Sequence, residues 1–184
     1  MKKILFIIGS LRNNGFNYQL SKEVYQKLNS KCEITYLEYG DIPYMNQDLE
    51  NPELEIIKNI RKQVIETDLI LIFTPEYNYS YPGVLKNLLD WLSRPLIYND
   101  YNSGTAVLNK KVAVTGIGGK NKTNDARVKL IELLKTMKMN VLDYSIGFQV
   151  NNEAWIDNKV ILNENQLNEL NTFIEEIESF LNND

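Results

Sequence analysis

The 184-residue chain contains no histidine and a single cysteine, Cys32. The missing histidine removes the general base of every Ser-His-Asp and Cys-His arrangement. The two absences together leave too few ligands for a Cys/His zinc site, and no metal is expected. One cysteine cannot form an intramolecular disulfide, so nothing points to an oxidising compartment; Cys32 is read as structural or incidental. Positive charge is also short, with 20 Lys and Arg against 24 Asp and Glu, a formal net charge of −4. A phosphate-covered partner selects the opposite sign, so nucleic acid is not expected. Long hydrophobic runs are missing as well. Met1-Lys2-Lys3 precedes an apolar run, Ile4 to Ile8, that stops at Gly9. That is short of a secretory core and far short of a membrane span, and the expectation is a cytoplasmic protein with no membrane partner. The remaining chemistry must come from carboxylates, amines, hydroxyls, backbone groups or a bound cofactor.

What is present is a 43% hydrophobic, 24% charged chain, as expected of one ordinary domain over 1–184. Strand and helix patterns alternate along it. Ile4 to Ile8 and Leu69 to Phe73 are uniformly apolar, the mark of central parallel strands buried on both faces. Ile34–Leu37, Val112–Thr115 and Val141–Ile146 are the other strand candidates. Between them lie helical stripes: Leu20, Val24 and Leu28; Leu54, Ile57, Ile60 and Val64; Val128, Ile131, Leu134 and Met137. Pro82, suited to a first helical position, opens a helix to Ser93, and Leu96–Asn109 reads as a polar loop. The stripe Leu167, Leu170, Phe173, Ile174, Ile177, Phe180 and Leu181 marks a last helix. Such alternation predicts an α/β, doubly wound, five-stranded parallel sheet with helices on both faces. Ligands bind such sheets beyond the carboxyl ends of the strands, which directs attention to three loops.

Loop one, Gly9 to Asn17, joins a buried strand to a helix start. It carries Ser10, Asn17 and Arg12, a forked cation matched to phosphate oxygens. It serves equally as a tight turn with polar caps, and it lacks a Gly-x-Gly-x-x-Gly pattern. Loop two, Thr74 to Gly83, places Tyr77, Tyr79 and Tyr81 within five positions. Aromatic faces beside amides suit a flat heteroaromatic ligand; packing of the tyrosines on the sheet edge is the alternative. Loop three, Thr115 to Thr123, is glycine-rich through Gly116, Gly118 and Gly119. Lys122-Thr123 nearly completes a P-loop, but Asn121 stands where that motif needs glycine.

Gly9-Ser10-Leu11-Arg12 with Phe16-Asn17, the run Pro75-Glu76-Tyr77-Asn78-Tyr79-Ser80-Tyr81-Pro82-Gly83-Val84-Leu85-Lys86-Asn87-Leu88-Leu89-Asp90-Trp91, and the third glycine loop together resemble the NAD(P)H-dependent FMN reductase family over roughly Lys2 to Glu178. The resemblance implies a flavodoxin-like fold with strand order 2-1-3-4-5. It implies that Ser10, Arg12, Gly15, Phe16 and Asn17 hold the FMN phosphate and ribityl end. Pro75, Glu76, Tyr77 and Asn78 then border the isoalloxazine ring, and Thr115, Gly116, Gly118 and Gly119 its pyrimidine edge. Gly15 stands where family members often carry serine, and Leu96–Asn109 is longer than usual.

The implied activity is hydride transfer from NADPH or NADH through FMN to a small-molecule acceptor: free flavin, quinone, azo compound or metal oxyanion. The cycle is ping-pong. No side chain is required as a catalytic acid, and Tyr77 and Tyr79 shape the shared pocket. Arg12 neutralises the phosphate and makes a reduced, anionic flavin less costly, which favours a two-electron reductase. The rival is a non-catalytic flavodoxin-like electron carrier or redox-sensing module. Apolar residues spread around the 82–93 helix, together with the resemblance, imply a homodimer or homotetramer through that helix.

Overall fold

Residues 1–183 are described by a computed structural model. In chain order the elements are β1 (Lys2–Ile8), α1 (Phe16–Leu28), β2 (Cys32–Tyr36), α2 (Glu55–Ile65), β3 (Leu69–Phe73), α3 (Gly83–Leu92), β4 (Pro95–Ile97), β5 (Asp100–Thr105), β6 (Lys111–Gly118), α4 (Asn124–Thr136), β7 (Asn140–Val141), β8 (Ile146–Gln149), α5 (Ala154–Asp157) and α6 (Glu164–Asn182). The two apolar runs lie inside one parallel sheet, ordered β2-β1-β3-β6, with β7 and β8 both along the outer side of β6. This is the expected flavodoxin-like order 2-1-3-4-5, its fourth strand being β6 and its fifth the β7/β8 pair. Ile4 pairs with Leu69 and Leu69 with Lys111, so the strands finish nearly level.

Alternation along the strands divides the core. Leu5, Ile7, Ile70, Ile72, Val112 and Val114 face α2, α3 and α4. Ile4, Phe6, Leu69, Leu71, Phe73 and Ala113 face α1 and α6. Continuous apolar runs are required because both faces are covered. No helix among the described residues is long and apolar enough to cross a membrane.

The structure corrects several sequence expectations. The fifth strand is not continuous over Val141–Ile146. It breaks after Val141 and resumes at Ile146, because the Ser145 hydroxyl donates to the Val114 carbonyl at 2.9 Å and takes over a ladder bond. The half-buried Arg127 holds the break, its Nη1 donating to both the carbonyl and the hydroxyl of Ser145 at 3.0 Å. Burial pushes the Arg127 guanidinium below its ordinary pKa, against the pull of nearby Glu76. The 96–109 segment is an antiparallel β4–β5 hairpin rather than an irregular loop, turned through Asn99 at φ 61°. Pro82 caps α3 from just outside it. Val128 points outward, and α4 is buried through Ala126, Leu130 and Leu134 instead. Leu85, Leu88, Leu89, Trp91 and Leu92 of α3 are all buried within this chain's own core. The apolar character that suggested an interface on that helix is therefore satisfied internally.

β6 also runs three residues beyond its expected end at Thr115. Gly116 and Gly147 are register partners across β6 and β8; loop-three backbone lies against Gly147, and loop-two backbone with the Thr123 hydroxyl against Gly116. A Cβ on Gly147 would stand 1.8 Å from the Lys122 carbonyl oxygen, and one on Gly116 2.1 Å from the Thr74 carbonyl oxygen. Gly119, by contrast, has open space around its Cβ direction. Gly147→Ala is therefore expected to cost on the order of 2–3 kcal/mol through forced backbone displacement. Gly119→Ala should stay within about 0.5 kcal/mol of the parent. Urea midpoints at constant slope measure both.

Candidate functional site

Loop one turns sharply beneath loop two. The Gly9 amide donates to the Phe73 carbonyl at 2.8 Å, and a Cβ on Gly9 would meet that oxygen at 3.1 Å. The chain then rises through Ser10, whose Oγ accepts from the Arg12 amide at 3.2 Å and lies 3.3 Å from the Tyr77 hydroxyl. Gly15 precedes α1, and α1 has neither a side-chain cap nor an acidic residue in its first turn. Its free amides and the positive end of its dipole are left for an anion.

Asn17 does something the sequence did not suggest. It is 4% exposed, and its amide bonds both backbone groups of Ile117, Nδ2 donating to the carbonyl and Oδ1 accepting from the amide, each at 3.0 Å. The side chain thus stands in for a neighbouring strand at the free edge of β6 and ties α1 to the sheet. Of Asn17, the backbone is what remains for a ligand.

Loop two is a tight turn. Tyr77 and Ser80 exchange backbone hydrogen bonds at 2.8 and 3.1 Å, with Asn78 and Tyr79 between them at φ 50° and 58°. Two consecutive left-handed residues are the signature of a type I′ turn. Tyr77 and Tyr79 stand out from it, 51% and 69% exposed. Glu76 points back into the molecule. One carboxylate oxygen accepts from Asn121 at 2.8 Å and the other from the Ala126 amide in the first turn of α4 at 3.1 Å. The positive end of α4 is thereby occupied, while that of α1 is open.

These loops enclose a cleft of about 340 Å³, in the range of small-ligand sites. Ser10, Arg12, Gly15, Phe16, Asn17, Pro75, Glu76, Tyr77, Gly118 and Gly119 line it. Asn78 sits in the turn outside the lining. Thr115 and Gly116 lie inside β6: Thr115 is buried, its hydroxyl donating to the Ile146 carbonyl at 2.8 Å, and Gly116 lies against the Thr74 backbone. Lys120 and Asn121 line the rim. Thr123, absent from the expected set, also lines the cleft; its hydroxyl is buried and has no protein partner. Trp155 is a second addition, reaching the cleft from α5. Its ring meets Phe16 edge-on at 5.2 Å, and the Arg12 guanidinium lies 5.2 Å over Phe16. Open helix amides, a forked cation, an unpartnered hydroxyl and aromatic walls fit a flavin mononucleotide.

A family model described as NADPH-dependent FMN reductase matches residues 2–151. The chain is 41% identical over 93 residues to a 2-hydroxy-1,4-benzoquinone reductase of Burkholderia sp, a stretch covering 50% of this chain and 51% of that one, so the match spans about half the relative's length. It is 30% identical over 148 residues to a quinone reductase of Escherichia coli K12, covering 79% and 77%. Among solved structures, the flavoenzyme NAD(P)H:(acceptor) oxidoreductase FerB of Paracoccus denitrificans superposes with a TM-score of 0.86 at 27% identity, over 98% of this chain and 97% of that one.

The Asn17–Ile117 pair offers a direct check. Asn17→Ala strands a buried amide and carbonyl, and an expected loss of about 2–4 kcal/mol in unfolding free energy follows. Asn17→Asp keeps one acceptor but turns a buried carboxylate oxygen on the Ile117 carbonyl, and should lose at least as much. Chemical denaturation of the three proteins decides the order.

Proposed function

We infer the reaction from one premise: the chain belongs to the NADPH-dependent FMN reductase family. It is an FMN-dependent NAD(P)H oxidoreductase, and its acceptor is a small planar compound of the quinone type. The observation that carries this reading is the contrast between the two helix starts at the cleft. Glu76 fills α4, whereas α1 is uncapped beside Arg12. Only one place in the cleft asks for a phosphate.

Bound FMN supplies the hydride chemistry. The chain binds, orients and excludes. Arg12, Ser10 and the first amides of α1 grip the phosphate end, with Gly15 allowing close approach. The backbone of Pro75, Glu76 and Tyr77 borders the ring, Asn78 holds the turn that presents it, and Thr123 with Gly118 and Gly119 faces the opposite edge. Thr115 and Gly116 act one layer below, as the floor on which Thr123 rests. The exposed rings of Tyr77 and Tyr79 wall the place where NAD(P)H and acceptor sit in turn. Sharing one place imposes a ping-pong cycle, and solvent delivers protons at this open mouth. The quinone class is supported by the activities named for the Burkholderia and Escherichia relatives.

The test is optical. Purified protein carries flavin absorbance that NADH or NADPH bleaches under argon and benzoquinone restores, with parallel double-reciprocal lines in steady state. Flavin absorbance that neither nucleotide bleaches identifies an electron carrier instead, and a protein that cannot be reconstituted with FMN overturns the reading. Arg12→Ala should weaken FMN binding by about 1.5–3 kcal/mol, the worth of a hydrogen bond to a charged group. It should also lower the flavin potential by removing the cation that stabilises the reduced anion; an unmoved potential would sink the electrostatic role of Arg12.

A further inference from the structure

The family match ends at residue 151, yet the phosphate end of the cleft is completed by residues beyond it. After β8 the chain crosses loop one as a strap, 151–163, that includes α5. Asn158 is its point of attachment. It holds a left-handed backbone, φ 57°, and uses every polar group that geometry presents. Its Oδ1 accepts from Arg12 Nη2 at 2.7 Å, and its Nδ2 donates to the Asn14 carbonyl at 3.0 Å. Its carbonyl accepts from Gln19 Nε2 at 2.7 Å. Gln19 closes the ring of contacts, donating to the Asn14 carbonyl at 3.0 Å and accepting from the Val160 amide at 2.9 Å.

Arg12 is solvent-exposed, and among the described residues no carboxylate lies within ion-pair distance of it. A free arginine loses much rotamer freedom when it grips a ligand, so fixing it beforehand strengthens binding. The chemistry of the anchor matters more than its presence. A carboxylate at 2.7 Å would fix the guanidinium and also cancel the charge that a phosphate needs. An amide oxygen fixes it and leaves the full positive charge in place. The guanidinium also lies over the ring of Phe16, which packs edge-on against Trp155, and neither adds charge.

We propose that Asn158 is a positioning residue for the flavin phosphate: by holding Arg12 through a neutral amide, the strap sets how strongly this protein prefers FMN to riboflavin. The inference rests on loop one being the phosphate end, and the experiment separates the two. The full-length protein is stripped of flavin and titrated with FMN and with riboflavin, which lacks the phosphate, following flavin fluorescence. Asn158→Gly keeps the left-handed backbone and the carbonyl for Gln19. It should weaken FMN by about tenfold, the scale of one charge-assisted hydrogen bond, and leave riboflavin unchanged. Asn158→Asp keeps the shape and adds the competing charge, so it should weaken FMN at least as much, again sparing riboflavin. In an Arg12→Ala background, Asn158→Gly should have no further effect, because its action passes through Arg12.

Equal weakening of both flavins would show a merely structural strap and overturn the proposal. So would an FMN affinity changed by less than about twofold, or an undiminished effect of Asn158→Gly without Arg12. A parent protein with no preference for FMN over riboflavin would overturn the phosphate reading of loop one itself.

Discussion

Everything at the carboxyl edge of this sheet depends on a place where two side chains are missing. Gly116 and Gly147 lie side by side on β6 and β8, and Lys122 and Thr123 rest on them closer than any Cβ would allow. Those two residues have φ values of 50° and 55°, a left-handed pair that L side chains adopt only when the surroundings enforce it. The seat supplies that enforcement. From it follow the start of α4, the reach of Glu76 to the Ala126 amide, and the burial of the Thr123 hydroxyl against Gly116. An alanine in the seat would move all three together.

The second organising feature is how sparingly charge is placed. The cleft is bordered by a carboxylate that is committed to a helix start and by a guanidinium held by an amide. The neighbouring contacts of Ser10, Asn17 and Gln19 are neutral hydrogen bonds, and Asn158 meets Arg12 with an uncharged amide oxygen. Neutral anchors orient a charged group without discharging it. A chain of net charge −4 without histidine can in this way present one strong cation at one point. The absence of titrating side chains near neutrality also suits chemistry that resides in a carried-in ring.

Much of this was legible in the sequence, for identifiable reasons. Ile4–Ile8 and Leu69–Phe73 read as central strands because burial on both faces leaves no polar position. Arg12 and the tyrosines of loop two stood out because few other roles require them at a strand end. A glycine-rich run after a strand reads as loop, whereas Gly116 is a strand residue that the Thr74 carbonyl approaches closely. Asn17 looked like a ligand donor, and only the register of α1 against Ile117 reveals that its amide completes the sheet. Asn158 was invisible for a simpler reason: its segment has no periodicity, and its partners lie more than a hundred positions away. The short apolar run Ala154-Trp155-Ile156, set between polar stretches, was the one available signal.

That separation has a consequence for how the protein comes into being. Arg12 and Asn158 are 146 positions apart, and the strap reaches loop one only by way of the strand pair at the far side of β6. During synthesis, the sheet centre can assemble before the strap that meets loop one has been made. The Arg12–Asn158 contact therefore closes only after β1, β3 and β6 are available to fold. Ligand that binds only the finished fold stabilises that fold by mass action, so a ligand seated at this contact would fasten loop one to a strap made long after it.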